Sequence, residues 1–367
     1  MSEIRNKIIT ISGEPVSGKS TVVKMLKEKY EQMGYRVHLV TTGHVFRDRV
    51  TKEYLKMYPN RTMANLADIQ EDEKFAAKRA EIDGAIDGWI AELGEKINSE
   101  ERPNDVYIID SRLAWHNIPS SYAVRLTVDE KIAGQRVFYD KNRGKEDTYE
   151  NLEEAIQKTK QRKFGEIERY KKRYDVDLAD RSNYDLIVDT SYSNTEELAG
   201  IIIDGEKSYR QGNYYPKAWA SPVCFIGTQT DRQTYGPSGM YGCTPDELAE
   251  IMKQQGYNPI YGEIEVVENY GEKFVKDGHH RAMAVLVMGK TLVPYFVNKD
   301  PKANERLVYE QNKIDFAYDW SDCINYYGGT IGKQKQFEKF SVKDLAAYER
   351  RIKPMLDEIL RKKQEGR

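Results

Sequence analysis

The 367-residue chain carries 57 basic and 59 acidic residues, a formal net charge of −2. This balance is typical of a globular protein and argues against a protein whose main task is to coat nucleic acid. Three widely spaced cysteines form no paired motif, and the sequence shows no signal peptide or long apolar span. We therefore expect a reducing, cytoplasmic setting with no zinc site, no disulfide and no membrane partner. The length is sufficient for two or three domains.

The first motif is the octet GEPVSGKS, which follows the β-branched run KIITIS. The octet satisfies G-x-x-x-x-G-K-[ST], in which backbone N–H groups wrap phosphates, the lysine reaches the outer phosphates and the hydroxyl binds Mg²⁺. Gly13, Gly18, Lys19 and Ser20 occupy these positions. The strand-like run before the octet and the amphipathic segment after it predict strand, loop and helix in the order that a phosphate site requires.

Five strand-like segments alternate with helical ones, which predicts a parallel sheet covered by helices on both faces. They read KIITIS, YRVHLVTT, DVYIID, YAVRLTV and YDLIVDTS. The third ends in Asp110, and an acid at the carboxyl end of a parallel strand beside the phosphate loop can hold a Mg²⁺-bound water. The alternative is that Asp110 binds no metal and is an ordinary turn residue, since strand ends commonly carry Asp.

An arginine-rich helical segment lies between the last two strands and contains Arg136, Arg143, Arg162, Arg169 and Arg173. Charge runs on helices are usually solvated faces. Phosphoryl transfer between two anionic substrates, however, needs several guanidinium groups to offset the charge of both phosphates. A segment that closes over the phosphate loop also excludes water as a competing acceptor.

These motifs together resemble the cytidylate kinase family of nucleoside monophosphate kinases over about residues 5–203. The resemblance rests on SGEPVSGKST, TTGHVFRD, EIDGAID, IDSRLAWH and QRKFGEIERYKKRYDVDLADRSNYDLIVDTS. It implies transfer of the γ-phosphoryl group of ATP, with Mg²⁺, to a nucleoside monophosphate such as CMP or dCMP. Ser111 stands where the family usually has a glycine, and its side chain can narrow or redirect the acceptor pocket.

The resemblance also implies a role for each matching residue. The residues expected to hold the donor phosphates are Gly13, Ser17, Gly18, Lys19, Ser20 and Thr21. The residues expected to act on the transferred group are Lys19, Asp110, Arg136, Arg143 and Arg162. Those expected to contact the acceptor are Arg47, Arg112, Arg169, Arg173 and Asp180. Mg²⁺ is expected at Ser20 and Asp110.

The second half contains KFVKDGHHRAMAVLVMGKTLVPYFV and resembles the ParB/sulfiredoxin fold over about residues 221–298. In that fold a turn of this kind opens a helix whose N-terminal N–H groups face an anion. The candidate second-site residues are Asp277, Gly278, His279, His280 and Arg281. Either histidine could shuttle a proton, or the residues could simply form hydrogen bonds at the start of the helix. Balanced charge weighs against DNA as a partner and favours a small phosphate-bearing or hydroxyl-bearing molecule.

The sequence thus predicts a P-loop kinase-like domain at 1–204, a ParB/sulfiredoxin-like domain at 205–304 and a helical extension at 305–367. The fold class is α/β, a P-loop NTPase parallel sheet with a smaller α+β domain and a C-terminal helix. The apolar stripe of that helix can pack against the body or form a homodimer seam.

Two rival functions stay open at this point. One is a kinase for another metabolite or modified nucleotide, in which the second domain would phosphorylate free serine. The other is a nucleotide-sensing protein that uses its phosphate loop as a switch. The arginines favour transfer, because a switch needs no clamp for an acceptor.

Overall fold

The computed structural model describes residues 6–60, 69, 72–140, 149–227, 237, 242–255, 262–269, 272–300 and 318–319. The chain forms two compact units. The first comprises 1–191 and 198–215, and the second comprises 192–197 and 216–367.

The first unit is a five-stranded sheet with helices. Its strands are β1 (Lys7–Gly13), β2 (Arg36–Thr41), β3 (Asp105–Asp110), β4 (Tyr122–Thr127) and β5 (Leu186–Asp189). Its helices are α1 (Lys19–Gln32), α2 (Thr42–Met57), α3 (Ala76–Asn98), α4 (Ala114–Asn117), α5 (Glu130–Tyr139), α6 (Leu152–Tyr174) and α7 (Thr195–Gln211), with 3₁₀ turns at Glu73–Phe75 and Arg181–Asn183. The strands lie in the order β5-β4-β1-β3-β2, and every pair is parallel. The predicted parallel sheet is confirmed.

The central strand β1 is buried along its whole length, as expected for a strand covered on both faces. Ile8 packs against Ile90 and Ile97 of α3. Ile9 and Ile11, on the alternate positions, are fully buried, and α1 contacts β1, β2 and β3. Apolar burial on both faces therefore fixes β1 between its helical layers.

The strand order makes β1 the point where the chain reverses direction across the sheet, since β3 lies on one side of it and β4 on the other. In open parallel sheets, ligands bind outside the carboxyl ends of the strands at such a point. The loop after β1 and the residues that follow β3 are therefore brought together, which is the arrangement that a phosphate site needs.

The second unit has a mixed sheet in the order β11-β7-β9-β8-β10-β6. Its strands are β6 (Ala218–Ala220), β7 (Ile226–Gly227), β8 (Ile264–Asn269), β9 (Glu272–Asp277), β10 (Val293–Val297) and β11 (Tyr318–Asp319), its helices are α8 (Pro245–Gln255) and α9 (His279–Val287), and a 3₁₀ turn spans Pro222–Cys224. The antiparallel pair β8 and β9 confirms the predicted hairpin. Thr244 caps α8 as predicted, because its hydroxyl accepts from the Glu247 N–H while Glu247 accepts from the Thr244 N–H.

Some predictions fall on other parts of the chain. Arg143, Cys323 and the amphipathic helix of the extension at 305–367 lie outside the described residues. The predicted boundary between 204 and 205 lies inside α7, and the three-part division stays a prediction.

Helices α5 and α6 approach each other closely at Gly134. A Cβ atom there would lie 2.8 Å from the Cα atom of Ile156, so Gly134→Ala should lower the free energy of unfolding by about 1–3 kcal/mol through overpacking. Gly200→Ala is the matched control on α7, because nothing lies within 4 Å of its Cβ position. It should be neutral or stabilising by up to ~1 kcal/mol. Urea titration of both variants checks this, and equal stabilities would contradict the assigned contact.

Candidate active site

The loop between β1 and α1 adopts a backbone that few residue types tolerate. Gly18 has a φ of 77° and Val16 a φ of 64°, both in the left-handed region. A β-branched residue is rarely found there, and such conformations concentrate at ligand-binding loops. At Gly13 a Cβ atom would lie 2.7 Å from Ser17 Oγ and 3.0 Å from the Leu126 carbonyl oxygen. The loop therefore needs glycine at both positions, at Gly18 for its left-handed backbone and at Gly13 because there is no room for a Cβ atom.

The interior of this loop fits an anion. Ser17 Oγ is buried and has no hydrogen-bond partner among the described residues, and its own carbonyl oxygen accepts from Thr190 Oγ1 at 3.0 Å. Successive N–H groups in a loop of this curvature form a concave site for oxyanions. A phosphate would supply the acceptor that the Ser17 hydroxyl lacks, so the residues fit the nucleotide that the sequence predicts.

Lys19 lies at the start of α1, and its ammonium group donates to the Gly13 carbonyl oxygen at 3.3 Å. Burial and the nearby Arg112 guanidinium lower the pKa of Lys19 to about 8, although Asp110 and Glu166 act in the opposite direction. The ammonium is thus held in a partly desolvated cluster of charges, where its interaction with an added anion is stronger than in water. Ser20 and Thr21 follow it and are exposed.

Asp110 ends β3 directly beside β1, in register with Ile11. Its carbonyl oxygen accepts from Thr42 Oγ1 at 3.1 Å, which ties the carboxyl end of β3 to the start of α2. The carboxylate is close enough to Lys19 and Arg112 to favour the charged form of each, although the pKa of Lys19 is lowered overall. The predicted candidate acid therefore lies with the predicted cations.

Arg112 follows β3 and forms a bidentate ion pair with Glu166. Its Nε and Nη2 atoms donate to the two carboxylate oxygens of Glu166 on α6, at 2.8 and 2.6 Å. Arg162, one turn earlier on α6, places its Nε 3.7 Å from the same carboxylate. Arg112, Arg162 and Lys19 thus converge, although they come from three separate parts of the chain.

Arg136 on α5 contacts the outside of the phosphate loop. Its guanidinium donates to the Val16 carbonyl oxygen at 3.3 Å and to the Ser191 carbonyl oxygen at 3.1 Å, and it also contacts Thr190. These contacts fix the loop against the end of β5. A direct role at the transferred phosphoryl group stays a prediction for this residue.

The predicted acceptor residues are distributed over a wider area. Arg173 pairs with Asp83 on α3 at 3.2 Å and donates to the Ala80 carbonyl oxygen. Arg169 lies against the ring of Tyr170. The remaining acceptor candidates are Asp180, whose carboxylate caps the turn at Ser182, and Arg47, which lies on α2 with its side chain outside the described residues.

Comparison with known proteins identifies the first unit. Residues 8–192 match the model of the cytidylate kinase-like family. Cytidylate kinase of Methanocella arvoryzae is 34% identical over 197 residues, which cover 53% of this chain and 94% of the relative. The chain belongs to the cytidylate kinase-like family. A second relative, cytidylate kinase of Methanocaldococcus jannaschii, is 30% identical over 200 residues, covering 53% of this chain and 94% of that protein.

A third relative covers both halves. The S-adenosylmethionine-dependent nucleotide dehydratase of Lacinutrix mariniflava is 24% identical over 392 residues, which cover 96% of this chain and 75% of that protein. The resemblance of the second half to the ParB/sulfiredoxin fold stays a prediction.

Membership of the cytidylate kinase-like family makes the chain a P-loop kinase, and the prediction of an enzyme is confirmed.

Two acidic residues of this kinase site were not selected from the sequence. Glu166 lies four residues after Arg162, a spacing at which opposite charges meet on one helix face. Glu14, inside the octet, is buried, and its carboxylate lies 3.1 Å from Lys163 Nζ and 3.9 Å from Arg125 Nη2. The spacing within α6 was a usable signal for Glu166. The partners of Glu14 are far away in the sequence and gave none.

The turn of the second unit also has defined geometry. Gly278 has a φ of 102° and precedes α9, and Arg281 Nη2 donates to Asp277 Oδ2 at 2.5 Å. His279 is fully buried, and this burial lowers its pKa to about 3. His279 is therefore neutral at physiological pH, and a proton-shuttle role for either histidine stays a prediction. The anion site at Asp277, Gly278, His279, His280 and Arg281 stays a prediction.

Within the described ranges, no group of three or more His, Cys, Asp or Glu side chains is arranged to hold a metal ion. No helix in the same ranges is long and apolar enough to cross a bilayer.

The lowered pKa of Lys19 predicts a pH dependence of ATP binding. Below pH 8 the ammonium is charged and attracts phosphate, whereas the neutral amine accumulates as the pH rises through about 8. If ATP holds the lysine protonated, the Kd should rise on the order of tenfold between pH 7 and 9. Calorimetric titration checks this. Lys19→Arg is the control, because its guanidinium stays charged and should give a nearly flat profile. A flat wild-type profile would contradict the assignment.

Proposed function

We propose that this kinase transfers the γ-phosphoryl group of ATP to a nucleoside monophosphate, with CMP or dCMP as the preferred acceptor. The observation that carries the proposal is the convergence of Lys19, Arg112 and Arg162 beside the phosphate loop. Phosphoryl transfer depends mainly on positioning and charge stabilisation. Three cations beside one loop supply both.

On the donor side, the loop from Gly13 to Thr21 would hold the phosphates of ATP. Its N–H groups and the Ser17 hydroxyl donate to phosphate oxygens, and Lys19 offsets the charge that develops on the leaving group. Mg²⁺, when bound, would neutralise charge on the outer phosphates. The Ser20 hydroxyl would contact the ion directly, and Asp110 would hold it through a water. Arg136 keeps the loop in place through the Val16 carbonyl oxygen.

On the acceptor side, Arg112 would grip the phosphate, together with Arg47. Asp83 and Asp87 on α3 are half-buried, and each carboxylate accepts a hydrogen bond from a side chain of α6. Carboxylates accept from the exocyclic amino group of cytosine, whereas uracil presents a carbonyl oxygen there. This chemistry, together with the names of the relatives, supports a cytosine nucleotide as the acceptor.

The second half is proposed to be an accessory unit of the ParB/sulfiredoxin type that binds a phosphate-bearing small molecule. Similarity to a nucleotide dehydratase over 96% of the chain supports a nucleotide ligand over free serine. The mixed sheet and the glycine at the start of α9 are compatible with that role. A homodimer is compatible with the same proposal, whereas the balanced charge gives no support to DNA as a partner.

An acceptor panel tests the kinase proposal. Wild-type protein is incubated with ATP, Mg²⁺ and each of CMP, dCMP, UMP, AMP, GMP and free serine, and the products are identified by mass. We expect CMP and dCMP to be converted fastest. Lys19→Ala is the inactive control and should lose roughly a hundredfold or more in rate, because the lysine acts on the transferring group. Phosphorylation of serine alone, or activity in Lys19→Ala within about threefold of wild type, would reject the proposal.

Arg112→Ala tests the acceptor clamp. Loss of a charge-assisted contact to the acceptor phosphate should reduce kcat/KM for the acceptor by about 10- to 100-fold, with little change in ATP affinity. Steady-state kinetics and ATP titration measure the two effects. Arg102→Ala is the matched control, because Arg102 lies before the opposite end of β3 and pairs with Glu100. If only ATP binding weakens in Arg112→Ala, the residue belongs to the donor side.

A further inference from the structure

Glu166 is the carboxylate around which the cations of the active site are arranged. Its side chain is only 14% exposed and accepts two hydrogen bonds from Arg112, at 2.8 and 2.6 Å. Arg162 lies 3.7 Å from the same oxygen that Arg112 Nη2 contacts. The residue therefore lies among the groups that are proposed to bind phosphate, and it belongs to the helix that carries Arg162.

The charge state of Glu166 is defined by these neighbours. Burial alone would raise the pKa of its carboxyl group, but the Arg112 and Arg162 guanidinium groups together hold that pKa below its ordinary value. Glu166 is also one of the groups that raise the pKa of Lys19. The side chain is therefore an anion at neutral pH, and its charge acts on three cations at once.

A carboxylate and a phosphate bind a guanidinium group in the same way. Each accepts two parallel N–H bonds from one edge of the planar fork. The N–H groups on the Nε and Nη2 edge of Arg112 already donate hydrogen bonds to Glu166. A phosphate that binds this edge must displace Glu166, and a phosphate that binds the other edge lies close to a buried negative charge.

We propose that Glu166 is an internal competitor for phosphate at the active site. Its carboxylate occupies Arg112 and lowers the affinity of the cationic cluster for any single anion. A complete substrate pair overcomes this competition through its additional contacts, whereas inorganic phosphate does not. The residue thus acts as a positioning and selectivity residue for the kinase reaction. The assignment rests on the proposed role of Arg112 as the acceptor clamp.

The test compares the binding of inorganic phosphate to wild type, Glu166→Gln and Glu166→Asp, by calorimetry on the full chain. Glutamine keeps the shape but removes the charge, so Glu166→Gln should bind phosphate about tenfold more tightly. The KM for the acceptor should fall while kcat does not rise. Aspartate keeps the charge, so Glu166→Asp should stay closer to wild type. Glu168→Gln, at an exposed position on α6, is the matched control and should behave as wild type.

Two results would overturn the inference. If Glu166→Gln and Glu166→Asp both weaken phosphate binding, Glu166 serves to orient Arg112. If neither changes it, the carboxylate does not compete. Thermal unfolding of each variant identifies loss of fold, and Arg112→Ala combined with Glu166→Gln should abolish the gain. Phosphate binding needs no turnover, so this test stays informative even if the acceptor panel rejects the proposed function.

Discussion

Repulsion among three converging cations is the constraint on which the active site depends. Lys19, Arg112 and Arg162 converge outside the carboxyl ends of β1 and β3, where an anion is needed to offset their charge. Like charges brought together out of water are costly unless they are paired. Asp110 and Glu166 provide that pairing within the protein, so the site has its own counter-charges before any substrate is considered.

Helix α6 carries much of this compensation. Glu166 pairs with Arg112 after β3, and Lys163, three residues earlier on the same helix, pairs with Glu14 in the phosphate loop. Helix α6 is therefore linked to two loops of the sheet by two ion pairs, and it supplies the acid in one pair and the base in the other. In the proposed reaction, a phosphate that takes over Arg112 would remove one of these links and so couple acceptor binding to the position of α6. Close packing of Ile156 against α5 at Gly134 also holds the N-terminal part of this helix.

Much of the first unit could be predicted from local sequence. The octet, the strand that ends at Asp110 and the arginines of α6 each carry a pattern within a short stretch, and the sheet confirms the predicted strands. Glu14 was missed because its partners are remote in the chain. The spacing of Glu166 from Arg162 was a usable signal, but its contact with Arg112 comes from the fold. The lowered pKa of His279 could not be predicted, because the burial that lowers it comes from the fold of the second unit and cannot be judged from one turn.

A structure of the protein with CMP and a non-hydrolysable ATP analogue bound would test the central claim most directly. The account predicts that the outer phosphates of the analogue lie in the loop from Gly13 to Thr21, with Lys19 Nζ on the outermost phosphate. It also predicts that Arg112 donates to the CMP phosphate and that the two hydrogen bonds to Glu166 are broken or lengthened. A structure in which CMP binds elsewhere, while Arg112 keeps both bonds to Glu166, would contradict it.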